Sequence, residues 1–436
     1  MRIKQRLLFG IILVAFLLIS WLVTLSTRTP LERQTELLTQ AELLIADGIY
    51  ILAVPLLEEA ASYNTKLTLH IESELKKVYL ALIDTRGFHN KYLTLLERQM
   101  SRSDAQSDVF IETATYLIAL SRTGEALNIL KAGISHTGCE LLKEIYEQNR
   151  YHFEINRAVY DYASPIYNGM SMVKRNDLWG ISRADGFTLI PCEYDKISTF
   201  SNGRAIVMKG GEVYAVNRDN NRVALLREDV YDFGNLSNNR IPLLFYNGWR
   251  RSDSSFNIGS QTYQEIGMAS DGYAAVKLND RWGVIDQNAN WLLHPNYCGI
   301  IMDELGRSYA RGAVFATLNS RVYLYINGIR QEGYYQNARP FSAEGYAAVM
   351  RNGVWGYINL DGTVAIDFQF DDALSFGQHL AAVKVDNMWG YINLYGEVVI
   401  EPQFYDAKSF SQGHSPILTA RGWQFITLIE FKRGIS

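Results

Sequence analysis

The sequence has few cysteines and no excess of basic residues. Three cysteines among 436 residues exclude a scaffold that is held together by disulfide bonds. Lysine and arginine total 42 against 46 aspartate and glutamate residues, which gives a net charge of −4. A nucleic-acid-binding surface normally leaves a basic excess, so no nucleic-acid partner is predicted.

The sequence also lacks the motifs of common enzyme classes. It contains neither of the glycine-rich nucleotide-binding patterns, GxxxxGK and GxGxxG, nor the GxSxG pattern of serine hydrolases. The seven histidines lie far apart and no CxxC pair occurs, so no metal-ligand spacing is present. The chain is therefore predicted to have no cofactor, no metal site and no catalytic residue, and not to be an enzyme.

Residues 7–27 form a stretch of 21 residues without a charged side chain. A bilayer core about 30 Å thick is crossed by about 20 apolar helical residues, so this stretch is predicted to be a transmembrane anchor. Arg2, Lys4 and Arg6 precede it, which predicts a cytoplasmic N-terminus and extracytoplasmic C-terminal domains. A cleaved signal peptide is the alternative, but its apolar core is usually about 7–15 residues long and ends at a small-residue site.

Residues 33–150 show helical spacing of apolar side chains and contain one proline, Pro55. Small, aromatic and aliphatic residues recur in one segment at Gly48, Tyr50, Ala53, Leu57 and Ala60. Weaker copies follow near Gly87 and Gly124, and aligning Ala53, Tyr92 and Ala126 gives steps of 39 and 34 residues. These residues resemble the second half of a tetratricopeptide repeat, which implies a stack of helical hairpins whose glycines end helices. A plain helical bundle is the alternative.

From residue 155 onward the helical periodicity gives way to short alternating segments separated by Asp-Gly and Asn-Gly turns, a pattern typical of β-hairpins. Aromatic residues recur here at steps of 35, 35, 33, 41, 32, 34 and 34 residues. These eight repeat anchors are Trp179, Tyr214, Trp249, Trp282, Tyr323, Trp355, Trp389 and Trp423. One unit of this length cannot bury its own apolar face, so the anchors are predicted to pack between neighbouring units.

A glycine follows the tryptophan directly in the clearest units, those of Trp282, Trp355 and Trp389. These units resemble the bacterial WG-repeat family over residues about 160–430. The glycine is absent after Tyr214 and Tyr323, and also after Trp249. The resemblance implies a β-rich repeat rather than an activity. A glycine at this position is predicted to allow a close backbone approach or a β-bulge.

Each unit also contains a second recurring element, here called the tail, which begins with an aromatic residue. The tails are placed at Tyr160, Tyr194, Tyr231, Tyr263, Tyr297, Tyr335, Phe370 and Tyr405. One tail precedes the first anchor, and no tail follows the last anchor, Trp423. This offset predicts that the two ends of the domain build one composite unit and close a propeller-like ring of about eight small units. An open β-solenoid is the alternative.

Polar residues in the tails were considered as candidate sites. Asp195, Asp232, Asp371 and Asp406 are predicted to cap backbone N–H groups of turns. The alternative is that they converge at one edge, where they would bind a cation or activate water. Cys192 and Cys298 lie in the tails of different units and, like Cys139, are isolated. The first two are predicted to be buried free thiols.

The predicted organisation is therefore multidomain. It comprises a cytoplasmic tip (1–6), a transmembrane helix (7–27), an all-α tetratricopeptide-like domain (33–150) and an all-β WG-type repeat domain (155–436). Two interaction-type domains behind a membrane anchor predict a binding or scaffold protein at the cell membrane, with an unidentified protein or cell-envelope partner. The alternatives are a cell-wall glycan-binding module that uses exposed aromatic faces and a glycan hydrolase that uses the recurring carboxylates.

Overall fold

The structure is a computed structural model and describes residues 29–225, 229–237, 240–252 and 257–431. The chain divides into two compact units, with the boundary between Tyr146 and Glu147. The first unit is helical and the second is built of β-strands.

Seven helices lie in the described part of the chain before residue 150. They are α1 (Pro30–Ala46), α2 (Tyr50–Ala61), α3 (Thr68–Ala81), α4 (Phe88–Met100), α5 (Ser107–Ala119), α6 (Thr123–Thr137) and α7 (Glu140–Asn149). Helix α1 begins at a capping box in which Thr29 and Glu32 each accept from the other's backbone N–H. Buried aliphatic side chains such as Leu57 and Leu96 hold the helices together.

The region is all-α, as predicted. Gly48, with a φ angle of 74°, lies two residues after the end of α1, which fits the predicted role of glycine at helix ends, whereas Gly87, with a φ angle of 95°, is the N-cap residue of α4. Gly124 lies inside α6 instead, where it is buried. The identity of these helices as tetratricopeptide repeats stays a prediction.

The prediction of one membrane-spanning helix is wrong for the part of the chain that the structure describes. None of the helices found between residues 29 and 431 is long and apolar enough to cross a bilayer. The segment behind the prediction, residues 7–27, lies outside the described residues. The localisation at the cell membrane stays a prediction.

The second unit is a β-propeller of eight antiparallel sheets, or blades. Blade 1 contains β2 (Tyr162–Ala163), β3 (Met170–Arg175), β4 (Leu178–Arg183) and β5 (Thr188–Tyr194). Blade 2 contains β6 (Lys196–Ile197), β7 (Arg204–Lys209), β8 (Glu212–Asn217) and β9 (Arg222–Leu225). Blade 3, as described, contains β10 (Asp232–Phe233), β11 (Ile241–Phe245) and β12 (Gly248–Ser252). Blade 4 contains β13 (Glu265–Ile266), β14 (Ala274–Leu278), β15 (Arg281–Ile285) and β16 (Trp291–Tyr297).

The remaining four blades follow the same order. Blade 5 contains β17 (Gly299–Ile300), β18 (Ala313–Leu318), β19 (Arg321–Ile326) and β20 (Ile329–Arg330). Blade 6 contains β21 (Asn337–Ala338), β22 (Tyr346–Arg351), β23 (Val354–Asn359) and β24 (Val364–Phe370). Blade 7 contains β25 (Asp372–Ala373), β26 (Ala381–Val385), β27 (Met388–Ile392) and β28 (Val398–Phe404). Blade 8 contains β29 (Asp406–Ala407), β30 (His414–Thr419), β31 (Gly422–Leu428) and, as its outer strand, β1 (Phe153–Ile155). A short 3₁₀ helix, Ile429–Phe431, follows.

The first strand of each blade is two residues long and lies innermost, and the fourth is the outer strand. Two-residue turns join the second and third strands, as at Asn352 and Gly353. The inner strands begin beside these turns, because Asn337 pairs with Met350, which lies next to the turn. We call this end of the propeller the turn end.

The ring closes where the two ends of the β-domain meet. Strand β1 pairs with β31 in antiparallel register, with Phe153 opposite Leu428. The pairing extends to Tyr160 and Trp423, which exchange two backbone hydrogen bonds of 2.9 Å. The composite unit predicted from the offset of the tails is therefore present, and the open solenoid is wrong.

The closure predicts how the propeller responds to a cavity in blade 8. Phe425 is fully buried and contacts the Tyr160 ring edge-on, at 6.2 Å between ring centres. Phe425→Ala should lower the free energy of unfolding by about 3–5 kcal/mol. Denaturant unfolding followed by tryptophan fluorescence reports on this unit, because seven of the eight tryptophans lie between residues 179 and 423.

The control for this substitution is Phe187→Ala, at an exposed phenylalanine of the same unit. A surface change of this kind usually alters stability by no more than about 0.5 kcal/mol. Equal unfolding midpoints for the two variants would contradict the closure.

Candidate functional site

The repeat anchors pack near the start of the third strand of each blade. Trp355 pairs with Met350 of the second strand and with Phe370 of the outer strand. Trp355, Trp389 and Trp423 are buried, and the other five anchors are half-buried. None of the eight side chains is exposed, so their position suits packing between blades.

Two of the predicted anchors are out of register by one residue. In blade 2 the position of the tryptophan is held by Val213, which pairs with Met208, and Tyr214 follows it. In blade 5 that position is held by Val322, which faces Tyr335 of the next tail, and Tyr323 follows it. Tyr214 and Tyr323 therefore occupy the position of the glycine, on the opposite face of the sheet.

The glycine after the tryptophan is required by a close approach of the outer strand. A Cβ atom on Gly390 would lie 2.5 Å from the carbonyl oxygen of Ile400, a distance that real Cβ atoms do not reach. The same approach, at 2.5–2.8 Å, occurs at Gly180, Gly283 and Gly356. The outer strands of these four blades are seven residues long and shift register opposite the glycine, as in a β-bulge. The predicted reason for the glycine is confirmed.

Two of the eight predicted tails are also shifted by one residue. Phe404, rather than Tyr405, pairs with Trp389 and ends the outer strand of blade 7. Val230 holds the same position before blade 3, since the inner strand starts two residues later, at Asp232. Each error has the same cause, because an aromatic residue stands at the next position.

The four tail aspartates therefore occupy two positions and do not form one set of converging carboxylates. Asp195 directly follows the tail aromatic residue and accepts from the N–H of Gly210 in a hairpin turn at 2.7 Å, as predicted. Asp371 shares that position. Asp232 and Asp406 instead begin inner strands and accept from the N–H of the next residue at 2.8 Å. Within the described residues no group of three or more histidine, cysteine or acidic side chains is arranged to hold a metal ion.

The cap position in the tail is used in the same way by other blades. Asp161 accepts from the N–H of Asn176 at 2.7 Å. Glutamine replaces aspartate in two blades and accepts from the N–H of the second turn residue instead of the first, at Gln264 and Gln336. The side chains of Asp161, Asp195, Gln264 and Gln336 are therefore each occupied by their own hairpin turn.

Two blades place a tyrosine at the cap position instead. Tyr231 in blade 3 and Tyr405 in blade 8 are both exposed. In blade 3 the turn residue that would be capped is also a tyrosine, Tyr246, which is 88% exposed. The backbone N–H groups of Tyr231 and Tyr405 bond to the second strands at 2.9 Å, so both side chains stand on fixed backbone. Tyr231, Tyr246 and Tyr405 are thus exposed at the turn end, where Tyr334 is exposed as well.

A second group of polar residues meets on the axis of the ring. The connection between the inner and second strands of blade 5 is six residues longer than in blade 4 and five longer than in blade 6, and it includes residues 303–308. We call this segment the axial loop. Glu304 accepts from the hydroxyl of Tyr162 in blade 1 at 3.3 Å and pairs with Lys408 in blade 8. Asn235 in blade 3 donates to the carbonyl oxygen of Leu305 at 3.0 Å.

These contacts place the loop across the axis, because blade 5 is not adjacent to blades 1, 3 or 8 in an eight-bladed ring. The surroundings of Lys408 are aromatic and acidic. Its ammonium lies 4.8 Å from the ring centre of Trp423 and 5.7 Å from that of Tyr162. Burial and the Glu304 carboxylate raise the pKa of Tyr162, and burial raises the pKa of Asp406.

The sequence contained a signal for the axial loop, which the prediction did not use. The step of 41 residues between Trp282 and Tyr323 exceeds the neighbouring steps of 33 and 32 residues. The three cysteines are free, but the prediction of burial is wrong, since Cys298 is exposed and Cys192 is half-buried.

A family model of the WG containing repeat matches residues 157–179, 181–212, 253–282, 332–355, 355–389 and 389–419. The β-domain therefore carries WG repeats. The matches 355–389 and 389–419 each begin at the tryptophan in the third strand of one blade and end in the next blade, so the sequence repeat is offset from the blade. No curated protein matches the chain.

Solved structures resemble the chain weakly. The AfRom2 CNH domain is 9% identical, with 64% of this chain and 97% of that chain covered and a TM-score of 0.33. A eukaryotic initiation factor is 10% identical, with coverage of 65% and 88% and a TM-score of 0.42. The Pan2 WD40 domain of Neurospora crassa is 9% identical, with coverage of 62% and 88% and a TM-score of 0.33. Scores this low carry no argument about function.

The close approach at the glycine can be tested by one added methyl group. Gly390→Ala should lower the free energy of unfolding by about 1–3 kcal/mol, because the outer strand must move away from the new Cβ atom. Gly299→Ala is the matched control, since its Cβ atom would meet nothing nearer than the Thr317 hydroxyl at 3.7 Å. If both variants unfold at the same denaturant concentration, the steric explanation of the glycine is wrong.

Proposed function

We propose that the propeller is a non-catalytic protein-binding domain that contacts its partner through the turn end, at Tyr231, Tyr246 and Tyr405. A propeller built of WG repeats fits a binding or scaffold role. The main observation behind this proposal is that exposed tyrosines replace the polar cap residue or the capped turn residue that other blades have at these positions.

Tyrosine suits such a role for physical reasons. Its ring offers a large apolar area and a hydroxyl for a hydrogen bond, and few torsions are frozen on binding. The backbone of Tyr231 and Tyr405 is already fixed by the sheet, so little order is lost when a partner arrives. Neither ring is needed to cap its turn.

The recurring carboxylates do not favour the hydrolase alternative. Asp195 is bonded to its hairpin turn, and Asp232 is paired with Lys196 at 2.6 Å. A pair of carboxyl groups for glycoside hydrolysis flanks one open cleft. The tail carboxylates are instead distributed around the ring at two register positions.

The test restores the repeat residues at the turn end. A variant with Tyr231→Asp, Tyr246→Asn and Tyr405→Asp carries the residue types that blade 1 has at Asp161 and Asn176. Interface tyrosines often contribute about 2 kcal/mol or more each, so partner capture should fall at least about tenfold. Capture from an extract of the source cells, with quantitative mass spectrometry, measures the effect.

The control is Tyr395→Asn, at a tyrosine that is 86% exposed but lies in the turn between the third and outer strands of blade 7. This variant should capture the same proteins as the unmodified chain. If the triple variant also captures them at the same level, the turn end is not the binding surface.

A further inference from the structure

The axial loop supplies a carboxylate at the junction of blades 8 and 1, where the inner strands themselves provide none nearer to Lys408 than 4.0 Å. In blade 6, Arg339 follows the inner strand, lies 5.0 Å from the ring centre of Trp355 and pairs with Asp372, the first residue of the next inner strand, at 3.3 Å. Lys408 has the same place in blade 8, against Trp423. The next inner strand there begins with Tyr162, not with aspartate.

Arg339 in blade 6 has an aspartate partner in the next inner strand. Lys408, the equivalent cation in blade 8, is buried and has no carboxylate at that position. Its side chain is 6% exposed, and its backbone N–H is bonded to Pro416 in the sheet at 3.0 Å. Asp406 lies 4.0 Å away. A buried ammonium is costly unless it is paired closely, and Glu304 of the axial loop provides the close carboxylate.

Glu304 lies on the axial loop, whereas Asp372 is the first residue of an inner strand. The Glu304 side chain is 42% exposed, so the site that it occupies is open to solvent. The loop does not depend on it for its shape. Asp303 accepts from the N–H groups of Leu305 at 3.0 Å and Arg307 at 2.9 Å, and from the Arg307 side chain at 2.7 Å.

The loop is also fixed to the propeller by other residues. Leu305 is buried, and Arg307 forms a parallel bridge with Met268 of blade 4. Rotation of the Glu304 side chain would therefore vacate the site without unfolding the loop.

We propose that Lys408 and Tyr162 form a binding site for a carboxylate of a peptide or protein ligand, and that Glu304 is an internal occupant which the ligand displaces. The ammonium supplies the charge, and the Tyr162 hydroxyl supplies a directed donor, as it does to Glu304 at 3.3 Å. Glu304 acts as a competitor tethered to the site. The apparent affinity for a ligand equals the intrinsic affinity multiplied by the fraction of time that Glu304 leaves the site empty.

This inference rests on the proposed protein-binding role for its choice of a peptide ligand. Its test is the direct binding of defined peptides, which does not involve the turn-end tyrosines. The two experiments are therefore independent: either proposal can be contradicted without affecting the other.

The probes are three fluorescein-labelled hexapeptides, and the measurement is fluorescence anisotropy with the full chain. The first peptide has neutral side chains and a free C-terminal carboxylate. The second has one internal glutamate and an amidated C-terminus. The third is neutral and amidated. Glu304→Ala should bind the first peptide, the second, or both at least about tenfold more tightly than the unmodified chain does, and the third no better.

The pattern among the peptides identifies the source of the carboxylate. If only the first peptide binds more tightly, the site recognises a C-terminal carboxylate. If only the second does, the site recognises an acidic side chain. If both do, the site accepts a carboxylate from either source. If Glu304→Ala improves neither peptide relative to the neutral one, the proposal is overturned.

A charge-matched control separates a site from general attraction. Glu401→Ala removes an exposed carboxylate of the same unit and changes the net charge equally. An equal gain in affinity with this variant would also overturn the proposal. In the Glu304→Ala background, Lys408→Met should abolish the gain. If that variant does not fold, Tyr162→Phe in the same background should weaken binding severalfold, and an unchanged affinity contradicts the assigned site.

Discussion

The propeller depends on the antiparallel pairing of residues 153–160 with residues 422–428. This pairing gives blade 8 its outer strand, so no blade in the ring is left with an open edge at the junction. WG repeats such as 355–389 and 389–419 each contribute strands to two adjacent blades. The two ends of the β-domain therefore need each other to complete blade 8, and the pairing brings them together. Only a closed ring brings blades 1, 3, 5 and 8 to a common axis, where the axial loop contacts three of them.

Much of this architecture could be predicted from the sequence, because the order of tails and anchors along the chain indicates ring closure. A tail without a preceding anchor and an anchor without a following tail imply a composite unit, and Tyr160 and Trp423 form it. The register within a blade was less accessible. The aromatic period marked Tyr214 and Tyr323, but two-residue turns and strand pairing put Val213 and Val322 at the packing position. Residue type cannot identify the face of a strand when an aromatic residue stands one position away.

The candidate sites could be predicted only in part, for a geometric reason. The long step between Trp282 and Tyr323 indicates that blade 5 contains extra residues. Nothing in that step shows that Glu304 would meet Lys408, which is 104 residues away and three blades around the ring. The tail aspartates illustrate the converse. Their recurrence was visible, but their separation into turn caps and inner-strand residues depends on hydrogen bonds that only the fold defines.

The regular and irregular parts of the repeat have different physical roles. Where the repeat is regular, its recurring side chains make contacts within the propeller: tryptophan packs between blades, glycine admits the outer strand, and the cap residue binds its own turn. Such residues have little left to offer a ligand. Of the segments that the family model leaves unmatched, 213–252 contains Tyr231 and Tyr246, and 283–331 contains the axial loop, whereas Tyr162, Tyr405 and Lys408 lie in matched segments. We therefore expect a ligand to be recognised mainly by side chains that depart from the repeat residue at their position, such as Tyr231 and Tyr405, because the repeat residues hold the ring together.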